Sequence, residues 1–251
     1  MYQKIGIKMT LSYSPNFRSR KRSKKKIKFI IIHYTGMKTE SAAIKRLQDA
    51  KSEVSAHFLI KKNGNILNLV PDLYEAWHAG ESKWKNYKSL NRSSIGIELT
   101  NPGHQYSYKN FSQKQIFSLK KLLNYLMKKY KISKKNILGH SDVSPNRKKD
   151  PGEKFPWMML AKKKLGWCHN LNLENIKKFR KIKLNTKTQK NRFFMNLRKI
   201  GYNDIKGLKY DVSKKYLIIA FQRRFRQSLI DGKIDKECLF IAKNLSKSKS
   251  V

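Results

Sequence analysis

The sequence predicts an α/β protein: a mixed central β-sheet flanked by helices, followed by a small three-helix domain. Three observations carry this expectation. A continuous apolar run at residues 27–33 ends on a histidine and reads as a buried central strand. Lys62-Asn63-Gly64 separates two alternating segments, residues 55–61 and 65–70, which is a hairpin signal because Asn and Gly tolerate positive φ. Residues 112–130 open on a Ser112/Gln115 capping box and set Ile116, Leu119, Leu123 and Leu126 on one helical face. Strands and helices mixed in this way, with one hairpin, call for a sheet of mixed strand direction.

In chain order, residues 1–26 read as a basic lead-in, and eight of the eleven residues from 18 to 28 are Lys or Arg. Such a run is either an electrostatic arm for an anionic surface or a solvated approach to the first strand; the second reading is preferred because the run ends directly in that strand. Residues 27–169 form the first domain. After the first strand, residues 41–50 have a helical pattern, and the hairpin follows. Residues 94–99 (SIGIEL) alternate, with Ile95, Ile97 and Leu99 on one face and Gly96 and Glu98 on the other. The capping-box helix leads to a short strand at 136–139, after which His140 opens a polar loop. Residues 170–190 are basic and poor in apolar side chains, and read as a linker. Residues 191–245 recover helical spacing: Leu217, Phe221 and Phe225 sit four apart, Asp231-Gly232 marks a turn, and Asp235 can cap a last helix.

Composition narrows the function. The chain of 251 residues carries 58 Lys+Arg against 16 Asp+Glu, a formal charge of +42. Twelve of the basic residues are Arg and 46 are Lys, which argues for a general lysine bias over base-specific recognition. Apolar stretches fall far short of the ~20 residues of a membrane span. Two cysteines, Cys168 and Cys238, exclude a disulfide scaffold and any multi-thiolate zinc site. The N-terminus lacks the order of basic, apolar and small residues that marks a secretory signal, so a cytoplasmic location is expected, with action in the cell envelope left open.

Six histidines occur, and position distinguishes two. His33 ends the most apolar strand and His140 follows the strand at 136–139; α/β sheets place their sites at such strand ends. With Asp150 they would supply three N/O donors and leave a fourth tetrahedral position for water, as in a catalytic zinc site. The spacing alone is weak support, since the ligands lie 107 and 10 residues apart. Pro151 biases Asp150 toward extended backbone, which would put Lys148 on Asp150's side and turn Lys149 away. A Lys so placed can stabilise an oxyanion, but on the residues alone the preferred reading is one more lysine in a lysine-rich chain.

The strings FIIIHYTG, SAHFLIKKNGNI, AWHAG, SIGIEL, GHSDVSPNRKKDPG and FPW resemble, in order, the zinc-dependent N-acetylmuramoyl-L-alanine amidases of the type 2 family, which share the fold of peptidoglycan-recognition proteins. The resemblance covers roughly residues 27–167. It implies one zinc per chain held by His33, His140 and Asp150, with Glu98 and Lys148 as the catalytic side chains. Tyr34, His57, Trp77, His78 and Arg147 fall in segments expected near the substrate groove. LRKIGY, AFQRRF and DGKID resemble the small helical peptidoglycan-binding domain often appended to such amidases, although Ser228-Leu229-Ile230 departs from that domain's usual Gly-Leu before the turn. The implied reaction is hydrolysis of the amide between the lactyl group of N-acetylmuramic acid and L-alanine, in peptidoglycan or soluble muropeptides, by a monomer without a specific nucleic-acid partner. The competing expectations are a non-catalytic peptidoglycan-recognition module and, from the charge alone, a basic nucleic-acid binder.

Overall fold

The computed structural model describes Gly6 and residues 8–248. Ten strands and eight α-helices follow in order: β1 Met9–Leu11, β2 Phe17–Arg18, β3 Phe29–Tyr34, α1 Glu40–Gln48, β4 Phe58–Ile60, β5 Ile66–Asn68, β6 Glu75–Ala76, β7 Lys83–Trp84, β8 Tyr87–Lys88, β9 Ser94–Leu99, α2 Gln113–Tyr130, β10 Ile137–Gly139, α3 His140–Val143, α4 Trp157–Lys162, α5 Leu173–Lys177, α6 Lys187–Ile200, α7 Tyr210–Phe225 and α8 Lys236–Lys247. Six strands form one sheet in the order β1-β5-β4-β9-β3-β10. Within this sheet, among the described residues, only the β4–β5 hairpin is antiparallel and the other pairs run parallel, which makes the sheet mixed as expected. In the hairpin Gly64 alone takes positive φ (88°), and Asn63 instead turns the chain through its side chain, which accepts from Asn65 N.

The period-2 pattern of the central strands sorts two cores. Ile30, Ile32, Ile95, Ile97 and Leu99 pack under α2, whose Ile116, Leu119, Leu122, Leu123 and Leu126 are buried. The Ser112–Gln115 capping box forms, so α2 starts where the sequence places it. On the opposite face Phe29, Ile31 and Leu138 join Phe193, Leu197, Leu217, Phe221, Phe225 and Ile241 in a single apolar cluster. Leu47 of α1 packs with Leu59 and Leu69. This second face is therefore covered by α1 over the hairpin and by α6–α8 over β3 and β10.

That arrangement corrects the expected domain division. The linker is not a spacer: Asn172 caps α5, Thr186 caps α6, and α6 runs through the expected boundary at 190/191. Its lysines and arginines lie on the solvated side while Phe193, Leu197 and Ile200 turn inward, so composition alone mimicked a linker. The three C-terminal helices form as expected, and Asp235 caps α8 by accepting from Cys238 N, but they share the core of the sheet.

The basic lead-in is likewise part of the fold. Residues 1–5 and 7 lie outside the described residues; beyond them β1 extends the sheet beside β5 and β2 pairs with β6. Arg22 is buried and donates to the carbonyls of Asp72, Asn91 and Ser94. These three backbone acceptors satisfy the guanidinium inside the fold.

Candidate metal centre and active site

His33 lies near the end of β3, and the same ladder sets Glu98 of β9 directly beside it. β10 delivers His140 to the same edge, where the chain makes the single helical turn α3 before the expected polar loop begins. Ser141 N donates to Asp150 O at 2.9 Å, which returns the loop so that Asp150 faces both imidazoles. His33 Nδ1 lies 2.9 Å from His140 Nδ1 and 2.9 Å from Asp150 Oδ2, and His140 Nδ1 lies 3.0 Å from Asp150 Oδ2. All three side chains are buried. A tetrahedral ion with bonds of about 2.0–2.1 Å sets its donors about 3.3 Å apart, so the triangle fits one ion after a small expansion. The donor set of two imidazoles and one carboxylate suits zinc.

Hydrogen bonds behind the triad fix the tautomers. With Nδ1 turned to the shared point, His33 carries its proton on Nε2 and donates it to His78 Nδ1 at 3.1 Å. His78 Nε2 then donates to Ser94 Oγ (3.2 Å), whose hydroxyl donates to Leu90 O. His140 Nε2 donates to Ala79 O at 3.1 Å. Such partners orient metal-ligating imidazoles and raise their basicity. Burial, and next the neighbouring His140, push the His33 imidazole down to about 4, leaving a neutral ring. Burial would raise the Asp150 carboxyl, but His140 and His33 together hold it well below its ordinary value. His33 and Asp150 thus each offer a lone pair at neutral pH.

Glu98 lines the cavity with one oxygen, Oε2, buried and without a hydrogen-bond partner. Burial, then the Asp150 charge, push its carboxyl well above the ordinary value against the opposing charge of Lys148. Lys148 is half-buried and its charge reaches both His33 and Glu98; Lys149 is exposed at the rim. A cavity of about 870 Å³ opens over these groups, bounded by Ala43, Arg46 and Leu47 of α1, by Trp77 and by Arg147. A groove of similar size beside α2 brings no comparable cluster of titratable groups together.

The remaining expected residues divide. Tyr34, Trp77 and His78 line the cavity, His78 as the hydrogen-bond acceptor of His33. Arg147 lines it too, with Nη2 donating to Glu81 O and Ala79 O, so it ties the loop to that segment. His57 is corrected. It is fully buried and not among the cavity's lining residues; its Nδ1 accepts from Gly96 N and its Nε2 donates to Tyr74 O, so both ring nitrogens are taken up inside the fold. Sequence reasoning missed Ser94, although it shares a strand face with Gly96 and Glu98 at period 2. It also missed His104, which bonds the Tyr34 hydroxyl and Glu153 and carries no strand-end signal.

An open three-donor centre at strand ends, with a carboxyl group and an ammonium group beside it, is the arrangement of a metal-dependent hydrolase. The family model described as N-acetylmuramoyl-L-alanine amidase matches residues 23–153. The chain belongs to the N-acetylmuramoyl-L-alanine amidase family. It is 34% identical over 232 residues to N-acetylmuramoyl-L-alanine amidase AmiD of Escherichia coli (strain K12), covering 88% of this chain and 82% of that protein. It is 47% identical over 105 residues to the 1,6-anhydro-N-acetylmuramyl-L-alanine amidase AmpD of Haemophilus influenzae, covering 41% of this chain and 55% of that protein. Among solved structures, the complex of Escherichia coli AmiD with the substrate anhydro-N-acetylmuramic acid-L-Ala-D-gamma-Glu-L-Lys superposes with a TM-score of 0.78 at 32% identity, covering 91% of each chain. AmpDh3 from Pseudomonas aeruginosa gives a TM-score of 0.76 at 29% identity, covering 93% of this chain and 96% of that one. No helix of the described residues is long and apolar enough to cross a membrane.

Proposed function

We propose that the protein hydrolyses the amide between the lactyl carbonyl of N-acetylmuramic acid and L-alanine, using zinc held by His33, His140 and Asp150. The observation that carries this is the convergence of three buried donor atoms within 3.0 Å beside the unpaired Glu98 Oε2. Zinc, when bound, supplies acidified water and a positive charge at the carbonyl oxygen. Glu98 accepts the proton of the attacking water and passes it to the leaving amine of L-alanine. Lys148, which lines the same cavity, stabilises the oxyanion as the carbonyl becomes tetrahedral. The His33 and His140 rings are oriented for ligation by His78 and the Ala79 carbonyl. Muropeptides with an anhydro-muramyl end are the first substrates to try, because the AmiD complex contains one and the AmpD relatives are named for that group.

The test is metal content and turnover on one preparation. The expected result is about one zinc per chain, loss of muropeptide hydrolysis with a chelator, and recovery with zinc. Full activity in metal-free protein defeats the mechanism. Duplex DNA binding that falls steeply with salt and survives the chelator would instead favour the basic nucleic-acid reading.

A further inference from the structure

The metal-bearing turn is held from a distance by the C-terminal helices. Two of the three donors depend on α3: His140 is its first residue, and Ser141 N fixes Asp150 through its carbonyl. Four residues of helix cannot hold themselves in water, since one turn does not recover the cost of nucleation. The third residue of the turn is Asp142, whose Oδ2 accepts from Gly139 N at 2.7 Å and so closes the bend between β10 and His140.

Asp142 is in turn fixed by two side chains from beyond residue 200. Arg224 Nη1 donates to Asp142 Oδ2 at 2.5 Å, and the Tyr202 hydroxyl donates to Oδ1 at 2.7 Å. Arg224 Nη2 donates to Ile137 O at 2.8 Å, so one guanidinium grips the segment on both sides of His140. The ion pair is dry, with side-chain exposures of 2% and 1%, and the guanidinium lies 4.0 Å over the Trp157 ring. Among the described residues Arg224 is the only cation paired with Asp142. Arg224 lies beyond the amidase family match, which ends at residue 153, and falls in the AFQRRF string that resembles a peptidoglycan-binding domain, so the amidase motifs do not assign it a part in the metal centre.

We propose that Arg224 is a positioning residue for the metal centre: acting through Asp142 and Ile137 O, it holds α3 in the geometry that presents His140 and Asp150 to one ion. Tyr202 supports it from the other carboxylate oxygen. The C-terminal helices then contribute to metal affinity, in addition to any part in binding polymer. This inference rests on the zinc reading above.

The test measures zinc affinity of full-length protein by competition with a chromophoric chelator, with folding followed by circular dichroism. Arg224→Met removes both donations, and zinc affinity should fall by about 10–100-fold, the usual cost of losing a partner behind the ligands. Tyr202→Phe removes one hydroxyl, keeps the ring, and should weaken binding by about 2–10-fold; it tests the idea even if Arg224→Met does not fold. Arg226→Met is the control for a purely structural role. Arg226 is as dry as Arg224 and is paired with Asp231 and Asp235, but it does not touch the metal segment, so affinity should stay near wild type. Wild-type affinity in both Arg224→Met and Tyr202→Phe overturns the proposal, and so does an equal loss in Arg226→Met. Wild-type protein that binds zinc no better than His140→Ala would instead defeat the zinc reading itself, and the inference with it.

Discussion

Glu98 stands beside His33 in the parallel β3–β9 ladder, so the proposed proton-transfer group and a proposed metal ligand leave the sheet on the same face. The backbone register sets this relationship before any loop is placed. Ile97 and Leu99 face the α2 core, which leaves Glu98 no choice of side. Glu98→Gln keeps shape and hydrogen-bonding capacity but cannot take a proton from water. kcat should fall by about 10²–10⁴-fold, the usual worth of general acid–base catalysis, with zinc content unchanged. Turnover within a factor of a few of wild type would remove Glu98 from the mechanism.

Lys148 and Lys149 are neighbours with opposite expectations. Lys148 is half-buried with its charge felt at His33 and Glu98, while Lys149 is exposed at the rim. Lys148→Ala should lower kcat by about 10²–10³-fold, the usual cost of one oxyanion donor. Lys149→Ala should change KM at most. The reverse ranking in a kinetic comparison would mean that the loop is threaded differently in solution.

The candidate site was legible in two ways: His33 and His140 stand at strand ends and Asp150 follows in the polar loop, while Glu98 and Lys148 were singled out by the family resemblance, with alternation setting only Glu98's face. What holds the site was not legible, because it is nonlocal and disguised by charge. Among the described residues no lysine is buried, whereas Arg22, Arg223, Arg224 and Arg226 are. A scarce arginine in a lysine-rich chain was therefore the available signal, and its physical basis is the weakly hydrated, planar fork that tolerates burial. The same disguise produced the linker: lysines on the wet side of α6 hid the apolar side that packs on the sheet.

The shared core makes the C-terminal helices part of one folding unit. Phe221 is fully buried in the cluster that also contains Phe29 and Ile31 of the sheet. Phe221→Ala should cost about 3–5 kcal/mol, and it should lower the urea midpoint seen by circular dichroism and the midpoint seen by loss of zinc binding together. Removal of residues 191–251 should leave an insoluble or unfolded amidase portion. A truncated protein that retains muropeptide hydrolysis would restore the two-domain division.

His57 carries the clearest pH dependence of stability. Burial, followed by the Arg22 charge, pushes its imidazole down to about 3, from an ordinary value near 6.5. The depressed value means that the unfolded chain binds a proton which the folded chain refuses. The stability His57 provides is therefore present above pH ~6.5 and is lost progressively as pH falls toward about 3, at about 1.4 kcal/mol per pH unit. Between pH 6.5 and 5 this one residue should remove about 2 kcal/mol. His57→Gln cannot charge, so whatever its cost at pH 7, its further loss on going to pH 5 should be smaller than wild type's by about that amount. Urea unfolding of both proteins at the two pH values checks this, with a chelator present so that proton competition for the metal ligands is the same in each. Parallel losses in the two proteins would mean that His57 is hydrated in solution, and that its buried place beside His78, outside the cavity lining, is wrong.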